Sequence, residues 1–400
     1  MRYIVIGAGV AGSSACEALR EMDPEGEVRL FTDEPYPFYT KIRLPELVAG
    51  KVSPERLILK DESWFRQRRI RLHLEEKVTC IVPGPPFSIE TTRGSYDADR
   101  LLLATGGFSF VPPIPGADMS GVFTLRTMQD ALALGQEAER AKRALLIGGG
   151  LLGLEAGNGL RLRGLDVEVV EIFDRLLPRQ MDPAGAEILQ RIMERMGFSF
   201  YLGVRPKEIQ GSRGKAQGLL LEDGRFLEAD LILISAGVRP HLELAEGLGL
   251  KIQRGIVVND EMETSSPGVY AAGDAVEHRG VYYGIWNAAE EQGRVAGVNL
   301  AGGGARYQGT LMSNRLKVVG IDLVSAGEID TEGVHFSEVK SDPDKGIYRK
   351  LVYKEDRIIG CILLGDVRGQ RQFLQALTHG TDVGELKGKL LSQPEKLGQK

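Results

Sequence analysis

The chain reads as an α/β protein: two Rossmann-like nucleotide-binding domains and a small α+β domain toward its C-terminal end. Three observations predict this. A strand, a glycine loop and a helix follow without spare residues in Tyr3-Ile4-Val5-Ile6, Gly7-Ala8-Gly9-Val10-Ala11-Gly12 and the stretch from Ser13 to Leu19. The same order of parts returns in Ala144-Leu145-Leu146-Ile147 and Gly148-Gly149-Gly150-Leu151-Leu152-Gly153. Each unit then closes on an apolar strand that ends in small residues, Leu101-Leu102-Leu103-Ala104-Thr105-Gly106 and Leu231-Ile232-Leu233-Ile234-Ser235-Ala236-Gly237. A hairpin precedes each closing strand, so the repeat covers a whole domain and not only its loop.

Each glycine of the first loop has a physical task. Gly7 allows the tight turn out of the strand, Gly9 lets a pyrophosphate approach the backbone, and Gly12 lets helix and strand pack closely. The helix N-terminus then receives the phosphates through free N–H groups and its dipole. With 51 glycines among 400 residues a lone G-x-G-x-x-G carries little weight; the strand-to-helix context gives it its meaning. Two such sites in one chain point to a hydride relay between two dinucleotides.

Composition bounds the alternatives. A chain of 400 residues holds two or three domains, and 42% hydrophobic residues suffice for large cores. Lys and Arg number 50 against 55 Asp and Glu, a net charge of −5, with no basic block, so nucleic acid is not an expected partner. The apolar N-terminal run is too short for a membrane span, and a cytoplasmic location is expected. Three separated cysteines, Cys16, Cys80 and Cys361, form no C-x-x-C pair; neither a disulfide framework nor a metal site is expected.

In the first domain the second strand, Glu27 to Phe31, ends in Thr32-Asp33-Glu34. One of these three is expected at a ribose hydroxyl, with the choice among them open. The segment Tyr36–Gly50 reads as a loop and short helix in which Lys41 and Arg43 reach phosphate or flavin edges, or stand as surface cations. Residues 53–70 read as helical, with Trp64 and Phe65 on the apolar side, and Val78 lies on a strand passing an adenine. Pro112-Pro113-Ile114-Pro115-Gly116 marks a domain crossing.

In the second domain Glu171 ends the strand from Asp166, about 20 residues past the glycine loop, where a carboxylate accepts the 2′-hydroxyl of NAD and repels the 2′-phosphate of NADP. Arg175 and Arg179 follow only later, so NADH is expected and NADPH disfavoured. Glu155 lies in the first helical turn, placed for a nicotinamide carboxamide or simply favoured by the helix dipole.

After residue 238 the chain is expected to return to the first domain. Val269-Tyr270-Ala271-Ala272-Gly273-Asp274 is a short strand ending where an aspartate receives a ribityl hydroxyl and Gly273 admits the chain of a flavin. Ile285-Trp286-Asn287 opens a helix running to about Leu300, whose N-terminus favours negative charge on a reduced ring. The expected domains are 1–112 with 238–303, 113–237, and 304–378, followed by a polar, partly mobile tail over 379–400. Strands in the third domain are expected around Lys317-Val318-Val319, Asp322–Ser325 and Tyr348–Tyr353, with a helix near Gly369–Thr378.

These residues resemble the flavoprotein pyridine nucleotide–disulfide oxidoreductase superfamily. The resemblance is strongest to its rubredoxin reductases and to the flavin module of NADH nitrite reductases. The motifs that carry it are EPYPFYTKIRLPELVAG, LLLATGG, GGGLLGLEAG, RLLPRQMD, ISAGVRP, GVYAAGDAVEHRG and SNRLKVVGIDLVSAG. The resemblance implies a glutathione-reductase-like fold with FAD in the first domain and NADH in the second. It places FAD on Gly7, Gly9, Val10, Ala11, Gly12, Lys41, Val78, Ala104, Thr105, Gly106, Gly273, Asp274, Ile285 and Trp286. It places NAD on Gly148, Gly150, Leu151, Leu152, Gly153, Glu155, Glu171, Ser235, Ala236 and Gly237. Disulfide reductases of the superfamily carry a cysteine pair on the first helix, where only Cys16 stands; oxidases and peroxidases carry a redox cysteine where Ile42 and Arg43 stand. By the same resemblance, no siroheme or iron–sulfur domain of a nitrite reductase is expected within these residues.

The expected function is electron transfer from NADH through FAD to a separate acceptor, rubredoxin or another small iron–sulfur protein. A second reading is the electron-input subunit of a larger oxidoreductase complex. A third, of another class, is an NADH-responsive interaction protein with slow turnover. Monomer and homodimer are both compatible with the sequence, and no protein nucleophile or general base is expected because the cofactor performs the chemistry.

Overall fold

The computed structural model describes residues 1–318 and 320–398. The chain divides into two compact units: 1–43, 53–108 and 238–310 form the first, and 44–52, 109–237 and 311–400 the second.

The first unit is built on a five-stranded parallel sheet in the order Val269–Ala271, Arg100–Leu103, Arg2–Ile6, Glu27–Phe31, Ile70–His73. Its strands read as unbroken apolar runs because both faces are covered; Val5, Leu30, Leu102 and Ala271 have no exposed surface. The helices Val10–Met22 and Trp286–Leu300 approach each other at backbone distance, since a Cβ on Gly293 or Gly297 would stand 2.3 Å from the carbonyl oxygens of Ala11 and Ala15. A three-stranded antiparallel sheet, Val78–Val82, Phe87–Thr91 and Ser95–Ala98, follows the expected hairpin.

The second unit repeats the plan. Its parallel sheet runs Val122–Phe123, Leu231–Ile234, Arg143–Ile147, Asp166–Glu171, Phe198–Leu202. In both units the closing strand lies beside the strand that feeds the glycine loop, in register Tyr3↔Arg100 and Ala144↔Leu231. The same unit holds a five-stranded antiparallel sheet in the order Ser313–Val318, Ile321–Gly327, Arg357–Leu364, Ile347–Lys354, Phe336–Asp342, with the helix Gln370–His379. Val319, expected on the first of these strands, lies outside the described residues. Asp182 ties this sheet to the nucleotide fold: nearly buried, it caps the helix Pro183–Arg195 and accepts bonds from Tyr348 Oη (2.6 Å) and Lys350 Nζ (3.0 Å).

Three stretches differ from the sequence reading. Residues 53–70 are not one helix. Asp61 caps a short helix, Glu62–Gln67, by accepting the Trp64 N–H, while Ile58–Lys60 is extended and pairs with Phe38–Tyr39. The segment 44–52 groups with the second unit, where Gly159 lets the Pro45 carbonyl come within 2.9 Å of a Cβ position. The tail is packed over its described residues: Val383, Leu390 and Leu391 are buried, and the Leu391 carbonyl accepts Arg349 Nη1 at 2.7 Å. Among the described residues no helix is long and apolar enough to cross a membrane.

Candidate functional site: two nucleotide cradles

In the first unit the glycine loop is pressed against the end of the neighbouring strand. Gly7 has φ +110°, and a Cβ there would lie 2.1 Å from the Ala104 carbonyl oxygen. A Cβ on Gly12 would lie 1.9 Å from the Gly7 carbonyl oxygen. Gly9 is different: nothing lies within 4 Å of its Cβ position. It is the N-cap of the helix Val10–Met22, and no side chain caps that helix. The open space at Gly9, beside uncapped first-turn N–H groups, fits a pyrophosphate.

The other residues expected at this cradle cluster in the same unit. Thr32 is nearly buried, and its hydroxyl accepts the Glu34 N–H at 3.2 Å; Asp33 is exposed. Glu34 accepts from Tyr39 Oη (2.5 Å) and Lys41 Nζ (2.8 Å), so two expected cofactor residues form an ion pair. Thr105 donates its hydroxyl to the His241 carbonyl at 3.1 Å, and Gly106 adopts φ +65°. Gly273, at φ +85°, donates its N–H to Gln292 Oε1 at 2.9 Å, and the Asp274 carbonyl accepts Tyr282 Oη at 2.9 Å. Ile285 is the N-cap of the helix Trp286–Leu300, again with no side-chain cap, and the Trp286 ring stacks on Phe38.

Sequence reasoning missed Glu76. Its buried carboxylate accepts from Thr91 (2.6 Å) and Tyr96 (3.0 Å) and pairs with His73 Nδ1 (2.9 Å), while its own N–H donates to the Thr32 carbonyl. Burial acts to raise its pKa, but these three bonds more than offset it, and the group sits below the usual glutamate range. It thereby fixes the approach to Val78 and the end of the Thr32 strand. No local motif announces such a residue, because its side-chain partners come from three strands.

The second cradle follows the same rules. Gly148 has φ +115°, with a Cβ position 2.4 Å from the Ser235 carbonyl oxygen, and that of Gly153 is 2.7 Å from the Gly148 carbonyl oxygen. Gly150 faces open space and caps the helix Leu151–Leu162 without a side-chain bond. Leu151 and Leu152 supply its first-turn N–H groups, and Gly237 at φ +110° leaves the neighbouring loop open beside Ala236. Glu171 is only 6% exposed; its carboxylate accepts the N–H groups of Gly149 (2.7 Å) and Phe173 (3.0 Å). The carboxylate expected at a ribose is thus also a brace for the glycine loop. Ile172 and Phe173 stand half exposed directly after it.

Glu155, two residues past Gly153, is half-buried. Burial, and then the negative charge of Glu46, push its carboxyl up to about 7. Near neutrality it therefore has substantial populations of both the proton-donating and the anionic form. The Cys16 thiol, fully buried on the first helix, is pushed up to about 12 by burial and stays protonated.

Gly150→Val meets open space at ordinary φ, so the fold should survive with an unchanged melting temperature while nucleotide affinity falls at least about tenfold. Gly148→Ala should instead cost on the order of 2 kcal/mol of stability or more, read by chemical denaturation, because the backbone must move off the Ser235 carbonyl. Glu155→Gln tests the pKa: the folded protein holds this proton between 4.5 and about 7 while the unfolded chain releases it, so native stability falls as pH rises through that window. The Gln variant should gain stability relative to the native chain across the window and hold the gain above it; parallel pH–stability curves would disprove the shift.

The family model of the pyridine nucleotide-disulphide oxidoreductases matches residues 1–293, and that of the rubredoxin NAD+ reductase C-terminal domain matches residues 313–381. The assimilatory nitrate reductase electron transfer subunit of Bacillus subtilis (strain 168) is 36% identical over 399 residues, covering 99% of this chain and 52% of that protein. The NADH-rubredoxin oxidoreductase of Clostridium acetobutylicum is 29% identical over 367 residues, covering 92% and 91%. The structure of a putidaredoxin reductase in covalent complex with putidaredoxin superposes with a TM-score of 0.91 at 25% identity, covering 100% of this chain and 98% of that one. The chain spans about half the length of the nitrate- and nitrite-reductase relatives it matches. Two glycine cradles on repeated parallel sheets, followed by an antiparallel C-terminal sheet, agree with both family models: the chain belongs to the pyridine nucleotide-disulphide oxidoreductases and carries a C-terminal domain of the rubredoxin NAD+ reductase type.

Proposed function

We propose that this chain takes electrons from NADH and delivers them, through FAD, to a separate small iron–sulfur protein in the cytoplasm. The observation that carries the reading is the presence of two uncapped glycine cradles, one in each unit, with a buried carboxylate at the ribose position of the second. FAD belongs in the first unit, where Gly9, the Thr32–Glu34 turn, Lys41 and the Gly273–Asp274 turn share one compact body. NADH belongs in the second, on Gly150 and Glu171.

Bound flavin supplies the redox chemistry: it accepts a hydride and releases electrons singly. The chain's residues bind, orient and set the field. The helix N-terminus at Val10 and its counterpart at Leu151 hold phosphates. The uncapped N-terminus at Trp286 favours negative charge near it. Glu171 already accepts two backbone N–H groups, and an added 2′-phosphate would bring like charge against it, which favours NADH over NADPH. Glu155, with a pKa near neutrality, is suited to donate a hydrogen bond to a carboxamide oxygen.

Rubredoxin is the first acceptor to test, on the resemblance of the C-terminal domain and of the clostridial relative. A second reading has its own support: a 36%-identical relative is an electron transfer subunit, so a partner subunit of a larger complex is the alternative acceptor.

The deciding measurement is an anaerobic spectrum of the FAD-loaded protein on adding NADH. The visible band of oxidised flavin should bleach rapidly and recover on adding oxidised rubredoxin. Bleaching without recovery would move the acceptor to a partner subunit; bound flavin untouched by NADH would sink the reductase reading. Glu171→Ala should weaken NADH by about tenfold or more and NADPH by less; equal losses would remove Glu171 from the ribose site.

A further inference from the structure

Gly273 presents its N–H to the helix Trp286–Leu300 rather than to a strand. Its φ of +85° turns the backbone away from the sheet, and its Cβ position lies 2.9 Å from the Ala11 side chain. The partner it finds is Gln292, 1% exposed, whose Oε1 accepts the bond at 2.9 Å. The amide orientation is fixed by chemistry, since only the oxygen accepts a backbone N–H. The other half of that amide, Nε2, is buried on the side of Tyr307. The fold therefore holds a buried amide in place to supply an acceptor at this spot.

The next residue explains what the arrangement joins. Gly293 brings the helix to within 2.3 Å, at its Cβ position, of the Ala11 carbonyl oxygen, and Ala11 belongs to the phosphate loop. Two consecutive residues thus touch two different parts of the first cradle: Gln292 holds the Gly273–Asp274 turn, and Gly293 seats the Gly9–Gly12 loop. A leucine at 292 would fill the same space and leave the Gly273 N–H without a buried acceptor.

We infer that Gln292 is a positioning residue of the flavin site, one that holds the ribityl-side turn at Gly273–Asp274 in register with the phosphate loop at Gly9–Gly12. This rests on the reading that the first unit holds FAD. Gln292 touches no reacting atom; it acts through the Gly273 backbone.

The test uses the full-length apoprotein, with FAD affinity read by quenching of flavin fluorescence and the environment of the bound ring by its visible spectrum. Gln292→Leu, matched in size but without the acceptor, should weaken FAD by about tenfold and shift the flavin spectrum. Its NADH affinity, set in the second unit, should stay within about twofold of native. Gln292→Glu keeps an accepting oxygen and should restore FAD binding to within about threefold of the native value. Native-like FAD binding and spectrum in Gln292→Leu would overturn the proposal. So would equal loss of FAD in the Leu and Glu variants together with a lowered melting temperature of both apoproteins, which would make Gln292 a residue of general stability. Failure of the native apoprotein to bind FAD would overturn the underlying reading instead, and is separable because no variant is needed to see it.

Discussion

Everything at both nucleotide sites depends on one close approach, between the turn after a central strand and the end of the strand beside it. At Gly7 the space left for a Cβ is 2.1 Å from a carbonyl oxygen, and at Gly148 it is 2.4 Å. Both turns sit at φ above +100°, where only glycine is unstrained. This contact keeps the mouth of each cradle narrow and aims the following helix at the space above it. The third glycine repeats the constraint from the helix side. The middle glycine, Gly9 or Gly150, is free of it, and that freedom is the site. In the proposed reading, a ligand phosphate takes the place that no protein atom fills.

The parts of this design that sequence made legible are those where one residue answers to one local constraint. The glycines of both loops, the apolar strands at 101–103 and 231–234, and the helix start at Trp286 follow from short-range rules, and the structure has them in those places. The repeat reinforced them, since strand order in the two parallel sheets agrees. What escaped were residues whose partners lie far along the chain. Glu76 gains its meaning from Thr91, Tyr96 and His73 on other strands. Gln292 lies in the interior of a helix and looks like any polar residue until Gly273 is placed against it. The segment 44–52 has the periodicity of a short amphipathic helix but no signal for which body its apolar side will cover. The tail beyond His379 is polar on average, yet Leu390 and Leu391 close the C-terminal core and Arg349 holds their backbone. Average polarity hid the few residues that decide packing.

Carboxylates near the two cradles illustrate how environment assigns roles to one functional group. Glu171 is buried, but two backbone N–H groups meet its charge. Glu34 is held by a lysine and a tyrosine. Glu155 experiences burial and a like charge from Glu46, and its affinity for a proton rises to about neutrality. The first two brace loops through the donors they accept. The third is pushed toward holding its proton, and it is also the one nearest in sequence to the second glycine loop.

The family is named for disulphide chemistry, but this chain's cysteines are not arranged for it. The thiolate is the reactive form of cysteine, and burial that neighbouring cations do not offset stabilises the thiol instead. Cys16 stands on the first helix with a pKa of about 12, and Cys361 is buried in the C-terminal core with a pKa pushed up to about 12 by burial. Cys80, the exposed one, lies on the separate strand Val78–Val82. None of the three is bonded to another. In the proposed reaction, electrons taken from NADH therefore find no dithiol within the chain to receive them. In that proposal the acceptor lies beyond the two cradles, and its identity is a property of a surface, not of either cradle. That separation accounts for why relatives matching 99% and 92% of this chain carry names as different as a nitrate reductase subunit and a rubredoxin oxidoreductase.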